Sequence, residues 1–304
     1  MSVDANHAAD AHSSGRAYLL LTMTTFCWGA NSVFGRLAVG QISPMLLVSL
    51  RWLGSVILLL VVSRRSLRED WPTLRRHLPF LAAMGILGFT TFNALFYVAA
   101  HYTTAVNMGI IQGSMPVFVL IGAFLAYRTP VTGLQMAGVA VTLIGVITVG
   151  IHGSLERLAA LTINRGDALM VIACTLYAGY AVGLPRRPAV SSLGMFTVIA
   201  GAAFLASIPL VIGEAAMGQF QWPTVTGWIV LVLVTLFPSF LAQIWFIQGV
   251  ALIGPGRAGI FINLVPVFAS ILAVLILSEP FRAYHALALC FVLGGIWLAE
   301  RTRR

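Results

Sequence analysis

Seven amide and hydroxyl side chains stand inside long apolar runs: Asn31, Asn93, Gln112, Ser114, Ser239, Gln243 and Asn263. An amide supplies donors and acceptors together, so a ring of amides can hold the ammonium and carboxylate of a zwitterion without fixed charge. For any one of them a hydrogen bond between packed helices is the simpler account. As a set at comparable depth they favour a hydrated cavity. Aromatic residues offer apolar walls for it: Trp28, Phe92, Phe96, Tyr97, Tyr177, Tyr180 and Trp245. Of these, Trp28, Tyr97 and Trp245 are expected in the pocket, whereas Trp71, Trp222 and Trp228 lie near the ends of apolar runs and read as interfacial. Pro116, Pro238 and Pro266 fall mid-run, where a missing N–H frees a carbonyl; each is either a static kink or a gating hinge.

Other chemistry is weighed and set aside. All 18 basic residues are Arg, so neither a Walker A lysine nor a lysine Schiff base can form. Gly254-Pro255-Gly256-Arg257-Ala258-Gly259 spells GxGxxG, but no strand precedes it, and a tight turn is the better reading. No HExxH, GxSxG or GxGD and no central acid pair is present for an intramembrane enzyme, and no carbonyl or charge ring for a channel. No metal or cofactor is expected. Cys27, Cys174 and Cys290 sit in apolar runs as small fillers. Arg51 is the one Arg well inside an apolar run; either an acid such as Glu279 pairs with it or it snorkels to the interface. His101 and His285, near run ends, could carry protons or be ordinary hydrogen-bonded residues. No Asp or Glu lies at mid-depth.

These residues must be carried by membrane-spanning helices. The 304 residues are 59% hydrophobic and 9% charged, with mean hydropathy +0.95, too little charge to coat a water-soluble surface. Basic residues sit in short loops and at the C-terminus, with no stripe for nucleic acid. Ten runs reach the length a helix needs to cross a bilayer: 17–38, 44–63, 78–99, 103–126, 131–150, 166–184, 192–213, 227–249, 253–277 and 281–299. Their periodicity is helical or continuous, which excludes a barrel. The first sixteen residues are polar with no basic stretch before the apolar run, so no cleavable leader is expected.

Arginine placement orients the spans. With the N-terminus in the cytoplasm, the inside holds Arg16, Arg64, Arg65, Arg68, Arg75, Arg76, Arg128, Arg186, Arg187, Arg257, Arg301, Arg303 and Arg304. The outside holds Arg36, Arg157, Arg165 and Arg282. Both termini are therefore expected to be cytoplasmic.

The chain also repeats. At an offset of 150 residues, Gly109-Ile110 meets Gly259-Ile260 and Pro116-Val117-Phe118 meets Pro266-Val267-Phe268. Ile121, Ala123, Leu125, Pro130, Leu143 and Gly145 meet Ile271, Ala273, Leu275, Pro280, Leu293 and Gly295. Chance likeness of apolar helices does not readily align two prolines and two glycines in one ungapped frame. An odd number of spans per half turns the second half upside down, so the expected fold is all-α and integral to the membrane: ten transmembrane helices as two inverted five-helix repeats. The halves are 1–150, with a polar tail 1–16, and 151–304, with an Arg-rich tail. Gly109/Gly113 and Gly179/Gly183 have GxxxG spacing, read as packing within one protomer, which is expected to be a monomer or weak dimer.

Trp28-Gly29-Ala30-Asn31, Pro44 with Arg51, the Pro116 and Pro266 spans and Ser278-Glu279-Pro280 resemble the EamA family of the drug/metabolite transporter superfamily over essentially the whole chain. The first half departs from it, with Arg128-Thr129-Pro130 and no acid. Within the family the chain looks most like the YddG-type amino-acid exporters of bacterial inner membranes. The resemblance implies an exporter of small metabolites, amino acids (aromatic or broad neutral) foremost, working by alternating access. A multidrug or nucleotide/sugar-type exporter is the alternative.

Overall fold

The computed structural model describes residues 2–128, 130–154, 156 and 164–300. Thr129, Arg157, Arg301, Arg303 and Arg304 lie outside them. Every regular element among the described residues is helical. Among the described residues eight helices are long and apolar enough to cross a membrane, from Pro44–Val62 to Arg257–Leu277, and a shorter apolar helix covers Ala283–Ala299.

The first helix, α1, runs Ser2–Ala38, so the polar start continues the helix upstream of the expected span. After α2 (Pro44–Val62), the segment expected as a polar loop is α3 (Arg64–Leu74). It is amphipathic: Leu74 is buried, while Arg65 and Glu69 pair at 2.9 Å on its exposed face. The chain continues through α4 (Leu78–Gly85), a π-helical segment (Ile86–Thr91) and α5 (Phe92–Ala99), then α6 (Ala105–Gly113), α7 (Met115–Tyr127) and α8 (Gly133–Gly150). The remainder is α9 (Arg165–Gly183), α10 (Ser192–Ala216), α11 (Val225–Val234), a second π segment (Thr235–Leu241) and α12 (Ala242–Ile253). Then come α13 (Pro255–Phe261), a 3-10 turn (Ile262–Leu264), α14 (Val265–Leu277) and α15 (Ala283–Glu300). Gly254, at φ 81°, makes the tight turn expected of the GxGxxG stretch.

The 150-residue offset recurs in the backbone. α7 and α14 share their bounds at that spacing, as do α8 and α15. Each of α7 and α14 ends on a left-handed non-glycine residue, Arg128 at φ 54° and Ser278 at φ 52°. The two π segments fall in register as well. In both halves the mid-run proline opens a helix after a short break: Pro116 follows Ser114, and Pro266 follows the 3-10 turn. Pro238 lies inside the second π segment.

Helices of the two halves interleave. α15 lies along α8, α10 along α2, α14 on α6, and α1 between α12 and α14. The small residues make the approaches close: a Cβ at Gly109 would fall 2.3 Å from Ala269 Cβ, which places the first GxxxG pair in an intramolecular contact. The α8–α15 contact is reciprocal, with Gly145 against Ala288 and Gly295 against Gly138.

Carboxylates join the halves at helix starts. Glu214 accepts from the Met45 and Leu46 N–H groups (3.1 and 3.3 Å), capping α2. Glu279 accepts from the Ala105 and Val106 N–H groups, both at 3.0 Å, and lies 3.7 Å from Arg36. At the opposite end Asp70 accepts from the Ser191 N–H at 2.8 Å and its hydroxyl at 2.5 Å, holding the start of α10. We refer to these two ends as the Glu279 face and the Asp70 face.

Candidate functional site

Arg51 enters on α2 with the local sequence Ser49-Leu50-Arg51-Trp52, in a helix with no other charged residue. Its side chain turns into the bundle, where the residue is 3% exposed. Neither expectation for it holds: it does not reach the interface, and Glu279 is occupied by the start of α6 and Arg36. Its partners are neutral oxygens. Nε donates to Ser239 Oγ at 2.9 Å, Nη2 to the same oxygen at 2.5 Å, and Nη1 to Asn93 Oδ1 at 2.7 Å and to the Tyr97 hydroxyl. Tyr97 in turn donates to Asn31 Oδ1 at 3.1 Å. Guanidinium carries five N–H groups, so one Nη2–H remains without a partner among these contacts. The guanidinium carbon also sits 5.3 Å from the Trp52 ring centre and 5.5 Å from that of Tyr97.

Both π segments hold this cluster in place. A π turn leaves a carbonyl poorly satisfied and rotates the following residues relative to an α-helix. Ser239, inside the second segment, donates to the Val234 carbonyl five residues back at 2.6 Å and offers both lone pairs of its oxygen to Arg51. Asn93, two residues past the first, donates to the Phe89 carbonyl at 2.6 Å, which turns its own Oδ1 towards Arg51. The first π segment also brings two helices close together: a Cβ at Gly88 would lie 2.5 Å from the Tyr180 ring.

Four of the ten expected binding residues, Asn31, Asn93, Tyr97 and Ser239, thus meet around one cation. The others stand apart. Gln112 Oε1 and Asn263 Oδ1 are shut off from solvent and have no hydrogen-bond partner. Ser114 closes onto the Ile111 carbonyl at 2.6 Å. Trp28 packs on Phe246 with ring centres 5.3 Å apart; Gln243 and Trp245 are half-buried on α12. Of the aromatic residues expected as walls, Phe92 contacts Phe96 and Tyr177, Phe96 contacts Tyr97, and Tyr177 contacts Tyr180. Trp52, Phe89 and Phe196 extend this wall and were not anticipated; Trp52 stacks on Phe89 at 4.7 Å and has its Nε1 buried without a partner. The signal that could have found Trp52 is its position beside the one arginine in mid-span.

His101, past the end of α5, is held below the ordinary histidine range by burial and by the nearby Arg36, although Glu214 pulls the other way. It is therefore neutral near pH 7. Among the described residues no group of His, Cys, Asp and Glu is arranged to hold a metal ion.

A bundle of lipid-length apolar helices is a multi-pass membrane protein. The chain belongs to the EamA-like transporter family, whose sequence profile matches it twice, over residues 15–151 and 164–300. Among its relatives is the uncharacterized transporter YyaM of Bacillus subtilis, 27% identical over 289 residues and covering 93% of each chain. YetK, another uncharacterized transporter of that organism, is 27% identical over 93% of this chain and 86% of its own. An uncharacterized transporter of Archaeoglobus fulgidus is 26% identical over 94% of this chain and 97% of its own. A solved crystal structure, 17% identical, shares the fold with a TM-score of 0.63 over 95% of this chain and 99% of that one. The protein is thus a membrane transporter of this family.

Proposed function

We propose that the protein exports small metabolites bearing a carboxylate, amino acids foremost (aromatic or broad neutral), and that Arg51 receives the carboxylate. The observation that carries this reading is a guanidinium sealed from water with no acid within ion-pair distance among the described residues. Its hydrogen bonds are largely met, but its charge is not, and an uncompensated buried charge costs several kcal/mol, roughly. An anionic substrate arriving at the spare Nη2–H supplies the missing charge. The Trp52, Phe89, Tyr177 and Tyr180 rings are suited to an aromatic side chain.

The route is alternating access between two inverted five-helix halves, ten spans in all, with the site at their junction. The recurrence of helix bounds, π segments and left-handed caps at one offset supports this, as do the reciprocal α8–α15 contact and the two matched family segments. Carboxylate caps given by the second half to α2 and by the first half to α10, at opposite ends, fit the same inversion. Pro116, Pro238 and Pro266, each at a helix interruption, are the hinges. The membrane is the bacterial inner membrane, with both termini and the Asp70 face cytoplasmic, by the arginine bias.

The test is counterflow in proteoliposomes, offering in parallel amino acids, their decarboxylated amines, cationic drugs and nucleotide sugars. Amino acids should exchange and the matching amines should not. Equal exchange of acid and amine would remove Arg51 from recognition, and exchange of the drugs or nucleotide sugars alone would replace the substrate class.

A further inference from the structure

A second buried polar cluster lies apart from Arg51, at the Glu279 face. Asp167, in the first turn of α9, is 2% exposed, and Asn107, Thr103 and His285 around it are 1%, 5% and 2% exposed. Asp167 Oδ1 accepts from Thr103 Oγ1 at 2.5 Å, and both carboxylate oxygens accept from Asn107 Nδ2 at 3.2–3.3 Å. No cation forms an ion pair with Asp167 among the described residues. The amide orientation of Asn107 follows from its neighbours: its nitrogen must face the carboxylate, so its oxygen faces His285 Nε2, 3.1 Å away. The Arg282 N–H donates to His285 Nδ1 at 3.0 Å, which leaves Nε2 as the protonated nitrogen and the donor to Asn107.

We propose that Asp167, with Thr103, Asn107 and His285, forms a reversible proton-binding site bridging the two halves of the transporter. In both protonation states the carboxyl group of Asp167 keeps hydrogen-bond partners. With the proton absent, three neutral N–H and O–H contacts and the start of α9 face the carboxylate. With it present, the new O–H on Oδ1 points at Thr103 Oγ1, whose hydroxyl rotates from donor to acceptor, and Oδ2 continues to accept from Asn107. The proton comes from water and returns to it; no other bond changes. His285 cannot take the proton instead without surrendering the Arg282 N–H, so it serves to hold Asn107 in place. Thr103 and Asn107 belong to the first half, Asp167 and His285 to the second. Neutralising the carboxylate turns charge-assisted bonds between the halves into ordinary ones, about half as strong, so occupancy biases the closure of this face.

The charged and titratable groups on the elements meeting here are Arg165 at the start of α9, His101 and Tyr102 ahead of Thr103, and Tyr97 on α5. Beside them are Glu279 with Arg36 at the start of α6, His152 beyond α8, and Arg282 and Tyr284 beside His285. The inference extends the transporter reading by naming the co-transported species, but proton binding itself does not depend on the cargo.

The experiment follows the infrared absorption of protonated carboxyl groups in the purified full-length protein across a pH series. Wild type should show one titrating buried carboxyl band that is lost in Asp167→Asn. Thr103→Val should move its midpoint by about one pH unit, which keeps the test available if the first variant does not fold. An unchanged band in Asp167→Asn, or an unmoved midpoint in Thr103→Val, would overturn the site. Wild-type counterflow without a pH gradient reads the substrate proposal separately: its absence for every amino acid would sink that proposal and leave the infrared result standing.

Discussion

Replacing Arg51 with Gln removes the cluster's one charge while keeping an amide that can still donate to Asn93 Oδ1 or Ser239 Oγ. Folding should suffer little. The variant loses hydrogen bonds but also escapes the cost of a charge held 97% out of water in wild type, where the residue is 3% exposed. Substrate binding should suffer much more. Truncating one partner of a buried, hydrogen-bonded charge pair typically costs about 2–4 kcal/mol, which at about 1.4 kcal/mol per decade is roughly a 30- to 1,000-fold loss of affinity. Equilibrium binding of an amino acid and of its decarboxylated amine to detergent-purified protein separates the effect from general damage. The acid should weaken by that factor, and the amine should bind as before or better, because the cation no longer repels its ammonium. Arg51→Lys keeps a charge but loses the planar fork shared by Ser239, Asn93 and Tyr97, and should fall in between. If Arg51→Gln elutes as a folded protein and its acid-to-amine affinity ratio equals that of wild type, the charge plays no part in recognition.

Three further outcomes are expected. Gly109→Ala should destabilise the protein by about 1–3 kcal/mol through overpacking against Ala269, and Ala269→Gly in the same chain should restore the thermal midpoint; failure of that rescue would mean the α6–α14 contact is not the cause. Glu279→Ala strips the two capped N–H groups at the start of α6 and should cost about 1–2 kcal/mol, with the partly exposed Arg36 pair adding little, while Glu279→Gln keeps an acceptor and loses less by thermal unfolding. Single cysteines at Arg68 and at Arg282, in a background lacking the three native ones, should be labelled by an impermeant maleimide from the cytoplasmic and the outer side respectively, and the reverse pattern would invert the proposed orientation.

Much of the architecture was legible before any coordinates. Helix ends from α2 to α15 fall close to the expected runs because bilayer thickness and proline, glycine and polar breaks act locally along the chain. The exceptions have local causes too. Residues 64–74 were expected as a loop because their charge excludes them from lipid, yet an amphipathic helix satisfies the same charge while burying Leu74. The 150-residue offset in Pro116/Pro266 and Gly145/Gly295 reappears in matched helix bounds, since proline and glycine act on the backbone that bears them.

The polar cluster is another matter. That Asn31, Asn93, Tyr97 and Ser239 carry hydrogen-bonding groups is written in their identities; that the last three bind one guanidinium, with Asn31 behind Tyr97, is not. Arg51 and Ser239 are 188 residues apart, and their 2.9 Å contact depends on how α2 is rotated against the second π segment. A π turn has no strict sequence code, so the rotation that aims Asn93 and Ser239 at Arg51, and turns Gln243 and Trp245 elsewhere, arises only when the helices pack. The pairing of Glu279 with α6 rather than with Arg51, and the chain from His285 through Asn107 to Asp167, have the same origin. Depth in the membrane can be counted along one helix, whereas facing requires two.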